Sequence, residues 1–207
     1  MIAVPTPDPR IGEVLAFWFG DDGDDANVIA AQGPLWFRGG DAVDARIRDR
    51  FAAQREDAVA GRLNDDWGAT PRGQLARVIL VDQFSRNLFR DDPRAFEHDT
   101  LARQWTDTAL DEGTDRLLRP IERVFLYLPL EHAESLADQR RSVRAFEALV
   151  DEAPAPLHDA FANYLDYARR HHDVIARFGR FPHRNAVLGR PSTTEEIEFL
   201  RQPGSSF

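Results

Sequence analysis

The chain has 207 residues, 43% of them hydrophobic and 10% aromatic, enough for one domain with a sizeable core and too apolar for a disordered polymer. It contains no Cys and no Lys: all 26 basic residues are Arg, set against 35 acids, for a formal charge of -9. This excludes disulfides, thiol nucleophiles, Cys–zinc sites, Schiff-base lysines and the P-loop lysine, and a pI near 5.1 argues against a broad nucleic-acid-binding face.

The first ten residues, MIAVPTPDPR, have neither a basic region nor an apolar core, so no signal peptide is expected. The runs LAFWF and VFLYLPL are too short to cross a bilayer, and a cytoplasmic protein without membrane or nucleic-acid partners is the expectation. Residues 1–207 read as a single domain, with 1–8 and 203–207 as flexible ends. Asp8-Pro9 marks a helix start and Gly20 its end. Residues 21–40 read as loop, Asp-rich and then broken by Gly33-Pro34 and Gly39-Gly40. Asp41 is expected to cap a helix that buries Val43, Ile47, Phe51 and Val59 and closes at Gly61. Thr70-Pro71 opens the next, through about Phe89. Asp92-Pro93 repeats the signal, with Phe96, Leu101, Trp105 and Ala109 inside and Gly113 after.

Pro120 begins a short apolar helix that Pro129 is expected to interrupt. Ser135 with Asp138 reads as a capping box for a helix to about Val150. Residues 157–178 form a long helix ended by Gly179, and Ser192 with Glu195 reads as a last capping box. No segment alternates as a strand would. The pattern predicts an all-α fold of antiparallel helix pairs, either stacked as a tetratricopeptide-like superhelix or packed as a bundle.

Polar residues interrupt three apolar stripes. Val78 to Val81 is apolar all round, as in a buried helix, yet Asp82, Gln83, Arg86 and Asn87 follow directly. Asp82 and Arg86 are four apart and share a face with Leu75, Ile79 and Phe89; burying either alone is costly, so a structural ion pair competes with a site. On the long helix His171 replaces an apolar residue between Ala168 and Ile175, where a hydrogen-bonded core histidine is the bland alternative. In Pro129 to Ser135, Glu131, His132 and Glu134 crowd the expected break, with Asp138 and Gln139 one turn on. A carboxylate beside His132 would make an acid–base pair, the alternative being a polar helix entrance.

The countercharge lies in Arg177 to Arg190, RFGRFPHRNAVLGR, with four arginines and no acid. Phe178, Phe181 and Pro182 would hold Arg180, His183, Arg184 and Asn185 on a short rigid turn, a setting for bidentate recognition of carboxylate or phosphate. The competing reading is that these arginines neutralise Asp82, Glu131, Glu134 and Asp138.

FWFG (17–20), WF (36–37), PRGQLARVILVDQFSRNLFR (71–90), FLYLPLEHAES (125–135), RFGRFPHRNAVLGR (177–190) and STTEE (192–196) together resemble the bacterial family called domain of unknown function 924, over nearly the whole chain. The resemblance implies a tetratricopeptide-like all-α fold and no established reaction. It also implies polar residues at Asp82, Gln83, Arg86, Asn87, His132, Glu134, Asp138, Gln139, His171, Arg180, His183, Arg184 and Asn185. Ser85 departs from the family's usual Pro or small residue. Glu131 stands where the family often has Met, which makes Glu134 the stronger site candidate.

Three functions are compatible with these residues. The first is a binding module whose arginines, Arg86, Arg180 and Arg184, grip an anionic small molecule or peptide carboxylate in an electropositive hollow. The second is a hydrolase or lyase using His132 and Glu134 as catalytic acid–base pair. The third is a scaffold with a purely structural polar network. No cofactor is expected. His132, Glu134, His171 and His183 offer metal ligands, but without an HExxH or other zinc spacing no metal is expected either.

Overall fold

Segments with a helical apolar stripe form helices, and no strand occurs among residues 8–20 and 23–205, which the computed structural model describes. In chain order the helices are α1 (Pro9–Phe19), α2 (Asp25–Arg38), α3 (Asp41–Val59), α4 (Asn64–Gly68), α5 (Pro71–Val78), α6 (Phe84–Leu88), α7 (Asp99–Glu112), α8 (Pro120–Glu131), α9 (Leu136–Glu152), α10 (His158–Phe178) and α11 (Thr194–Leu200). Residues 1–7 and 206–207, the outer parts of the expected flexible ends, lie outside the described residues. Asp8 caps α1 and accepts a hydrogen bond from Trp67 Nε1, and Ser205 is buried.

The caps work as their chemistry demands. Asp8, Thr70 and Ser135 accept from backbone N–H groups in the first turns of α1, α5 and α9. The last capping box sits one residue later than expected, on Thr193 and Glu196, because Glu196 is the carboxylate that reaches back to the Thr193 N–H. Asp41 is the first helical residue of α3 rather than its cap.

Two prolines do not break helices as the sequence suggests. Residues 25–38 form α2 with Pro34 inside it: Asp24 caps the start, and Trp36 bonds the Trp18 carbonyl through Nε1 and packs on Phe125, with ring centres 4.7 Å apart. Pro129 lies in the last turns of α8, where a missing N–H costs one bond and packing against α9 holds the rest. Glu131 is therefore helical, and the break comes only after it.

The core is aromatic. Phe17, Trp18, Phe51, Phe84 and Phe125 are buried and meet edge-on or tilted, with neighbouring ring centres 5.0 to 5.9 Å apart. Such pairs add about 0.5–1.5 kcal/mol each beyond area burial. Helix α5 and the turn after it run through this core, touching α1, α3, α7 and α8, while α9 lies between α8 and α10. Contacts from α1 to α5 and from α2 to α8 skip intervening elements. A smaller apolar cluster, Val174, Ile175 and Phe181 with Leu136, Phe178 and Phe199, docks the C-terminal segment.

Gly73 explains how tightly α4 and α5 approach. A Cβ there would lie 2.2 Å from the Trp67 carbonyl oxygen, which is backbone and cannot swing away. Gly73→Ala is expected to destabilise the fold by about 1–3 kcal/mol or more in urea unfolding, the usual cost of overpacking. Unchanged stability would mean that α4 is free to shift.

Candidate functional site

The helix beginning at Pro71 does not run regularly to Phe89. Residues Ile79–Gln83 form one π turn, closed by the Phe84 N–H on the Ile79 carbonyl, before α6 resumes. Such single-turn bulges recur at functional sites. This one carries Asp82, which is fully buried, to the C-terminal end of α8.

There Asp82 Oδ1 lies 2.8 Å from His132 Nδ1 and 3.2 Å from Arg86 Nη1, and Oδ2 accepts from Gln83 at 2.6 Å. Arg86 also donates to the Asp82 carbonyl and grips Asp99 with both terminal nitrogens, at 3.1 and 3.0 Å. Burial by itself would raise the Asp82 carboxyl; Arg86 and His132 more than reverse this and hold it well below the usual carboxylate range. Burial and then the Arg86 charge outweigh the pull of Asp82 on His132, keeping the imidazole below its ordinary 6.5. At neutral pH the pair is thus an ionised carboxylate and a neutral imidazole. Nδ1–H donates to Asp82, and no protein group engages Nε2 among the described residues.

His132 opens onto a cleft of about 720 Å³. Its walls come from the 3-10 turn Pro93–Ala95, the first turns of α7 and α9, the end of α8, and Arg184 with Leu188. The chain bearing His132 is pinned from both sides. Gln139 donates to the carbonyls of Glu131 and Ala133, and Arg184 Nη1 donates to the His132 carbonyl at 3.0 Å. Arg184 is sandwiched between Phe96 and Phe181, with its guanidinium carbon 4.7 and 4.4 Å from the ring centres, and 3.6 Å separates Nη1 from Asp99. Burial lowers its pKa to about 10, still cationic at neutral pH, and its Nε has no hydrogen-bond partner among the described residues.

The arrangement departs from the sequence reading in three ways. Glu134 is not the partner of His132. Both its oxygens are held by Arg190, at 2.6 and 2.9 Å, and it also accepts from the Phe181 N–H, so Asp82 takes the place expected for it. The arginine loop is not a row of aimed cations. Arg180 turns to Glu196, at 2.7 and 2.8 Å, and to the Pro191 carbonyl, latching α11. Asn185 is buried against Ser192, Glu196 and Arg190. Finally, the cleft is not an electropositive hollow. Arg94, Arg103 and Arg184 face Glu97, Asp99, Glu134 and Asp138, so carboxylates outnumber guanidiniums.

The other expected residues divide by place. Asp138 lines the cleft, paired with Arg103 at 3.0 Å. Asn87 points away and, with Arg90, binds Asp44 of α3. His171 and His183 do not line the cleft; both rings pack against Phe181, with centres 5.5 and 5.6 Å from its ring. Asp99 and Arg103 were not singled out in the sequence, where an acid in a first helical turn and an arginine four residues on look like an ordinary solvated pair, and Phe96 was read only as a helix-core residue. No three His, Asp or Glu side chains gather as a metal site among the described residues.

Behind the dyad lies a second buried pair. His171 Nδ1 is 2.9 Å from the Tyr167 carbonyl and 3.2 Å from Glu131 Oε1. Burial, then the nearby Asp82 charge, pushes Glu131 up to about 8, and burial takes His171 down to about 3. Both are neutral at pH 7. For Glu131 the folded value exceeds the unfolded 4.5, so its contribution is complete below pH 4.5 and is lost as pH rises towards 8. For His171 the folded value is depressed, so its contribution is present above 6.5 and lost as pH falls towards 3. The two slopes cancel between 4.5 and 6.5. Stability should therefore fall from pH 6.5 to 8 at up to about 1.4 kcal/mol per pH unit, the slope of one proton. Glu131→Gln should abolish that alkaline fall in urea titrations; an unaltered slope would assign it to another group.

The model of the family described as bacterial protein of unknown function (DUF924) matches residues 14–204. A solved structure, titled as a protein of unknown function, ATU0120, from Agrobacterium tumefaciens, is similar at 34% identity with a TM-score of 0.77, over 93% of this chain and 98% of that one. Comparison with curated proteins gave no match. The π turn and α6, which together carry DQFSRN, the α8 end carrying EHAES and the FGRFPHRN loop thus meet in a chain that belongs to the bacterial DUF924 family.

Proposed function

We propose that this protein is an acid–base enzyme, a hydrolase or lyase acting on a small polar molecule, with His132 as the general base and Asp82 as its orienting carboxylate. One observation carries the reading. A fully buried, ionised Asp82 lies 2.8 Å from Nδ1 of a histidine whose other nitrogen is left to a cleft of small-molecule size. A buried carboxylate fixes the tautomer of the ring, so that Nε2 can take a proton from water or a substrate hydroxyl. Neutral imidazole at working pH is the form that a base requires. Arg184, cationic and held rigid between two rings, would steady negative charge developing on the substrate. Among the described residues no Ser or Thr hydroxyl bonds His132, and the chain has no Cys, so activation of water or direct proton abstraction fits better than a covalent intermediate.

A second reading, binding of an anionic small molecule or peptide carboxylate without chemistry, draws on the unpartnered Nε of buried Arg184. Its weakness is the acid-rich wall. A panel of esters, amides, phosphoesters and 3-hydroxy acids, incubated with wild type and with His132→Gln, separates the two. Turnover that His132→Gln abolishes supports the enzyme. Ligand binding by both proteins with no turnover by either supports the binding module.

A further inference from the structure

A second cleft, of about 910 Å³, opens between the end of α1, the C-terminal half of α2 and the start of α3. It shares no residue with the His132 cleft. Among the described residues its charged side chains are Arg38, Arg46 and Arg50, and no described Asp or Glu lines it. In a chain of formal charge -9 that is unexpected. Most arginines near the first cleft are answered by a carboxylate, whereas these three form no ion pair with one among the described residues. Arg46 and Arg50 are four residues apart on one face of α3, where like charges repel each other. They are held over the same buried ring, Phe17, at 5.0 and 5.1 Å, so their guanidinium carbons are no more than about 10 Å apart. The floor is apolar, from Phe17, Leu35 and Val43. The Gln32 amide closes over Gly20, whose φ of 78° and missing Cβ admit it: a Cβ there would lie 2.7 Å from Gln32 Nε2.

We infer that this second cleft binds a multiply charged oxyanion, a phosphorylated or polycarboxylated small molecule, with Arg38, Arg46 and Arg50 as its charge partners and the Phe17–Leu35 floor beneath its apolar part. Guanidinium forks fit the oxygens of phosphate and carboxylate alike. A bound anion would also relieve the repulsion between Arg46 and Arg50. The inference is independent of the acid–base reading, since it uses none of the dyad's residues.

Calorimetric titration of the full chain with inorganic pyrophosphate and, separately, with citrate tests it. Saturable binding by either is expected, weakening with salt; the tighter of the two identifies the oxyanion class. Arg46→Ala/Arg50→Ala, and Arg38→Ala alone, should each lower affinity by about tenfold or more, as loss of a charge-assisted fork does. Arg48→Ala, on the same helix but outside the cleft, and Arg103→Ala, in the other cleft, should bind as wild type does. All five arginines have exposed or half-exposed side chains, and circular dichroism checks folding; Arg38→Ala keeps the test decisive if the double variant misfolds. Absence of saturable binding would overturn the inference. So would equal loss in Arg48→Ala, or loss in Arg103→Ala alone.

Discussion

Asp82→Ala is expected to destabilise the protein by about 3–5 kcal/mol, the cost of stripping one partner from a buried charge network. Asp82 is wholly inaccessible and serves His132, Arg86 and Gln83 at once. Without it Arg86 keeps Asp99 but faces an emptied space beside the π turn, and His132 Nδ1–H loses its acceptor. Asp82→Asn keeps the volume and one acceptor oxygen and should cost less, about 1–3 kcal/mol. In a double-mutant cycle Asp82→Ala with Arg86→Met should fall well short of additivity, because the second substitution removes the charge that the first left unpaired. Urea unfolding with an unchanged m-value reads these effects. A loss under about 1 kcal/mol for Asp82→Ala would mean that the carboxylate is hydrated rather than buried.

His132→Ala is expected to lower turnover of whichever substrate the panel reveals by about 10²–10⁴-fold, the usual contribution of a general base. Stability should change far less, since the imidazole lies at the cleft wall and its backbone partners, Leu128 and Arg184, remain. The pH profile distinguishes Asp82 as a positioning residue from a merely structural one. Burial and Arg86 depress His132, while Asp82 raises it. The acid limb of kcat/KM in wild type should therefore lie below pH 6.5. Removing the carboxylate in Asp82→Asn takes away the raising influence, so the limb should move to still lower pH as kcat falls. A limb that stays in place while stability drops would reduce Asp82 to a packing role.

The helices were legible because caps and apolar stripes are local signals. Asp8, Thr70 and Ser135 cap what they were expected to cap, and the Phe161–Ile175 stripe is buried. Misreadings came where tertiary contact overrules local preference. Pro34 sits in α2 because Trp36 is held by Trp18 and Phe125, and Pro129 sits in α8 because its neighbours pack it in place. The π turn has no composition signal, since Ile79 to Gln83 would suit a regular helix equally well. For the site, out-of-place polarity on core stripes marked Asp82, Arg86 and His171, and these are buried or partly buried. Pairing was not legible. Which carboxylate meets His132 depends on the fold bringing residue 82 to residue 132, and Glu134, two residues away, is drawn off by Arg190 from a loop 56 positions along the chain. The acid-free arginine loop was misleading for the same reason: Glu196, beyond its end, neutralises Arg180. Conversely, Arg38, Arg46 and Arg50 are scattered among acids in sequence and face one cleft only after folding.

The most direct measurement is the protonation state of the His132 ring by ¹⁵N–¹H correlation NMR, assigned with His132→Gln and repeated in Asp82→Asn. At pH 7 the dyad requires a neutral ring with hydrogen on Nδ1, a bare Nε2, and an Nδ1 proton shifted downfield that moves upfield in Asp82→Asn. A ring carrying its hydrogen on Nε2, or a doubly protonated imidazolium at that pH, would leave no base facing the cleft and would contradict the account.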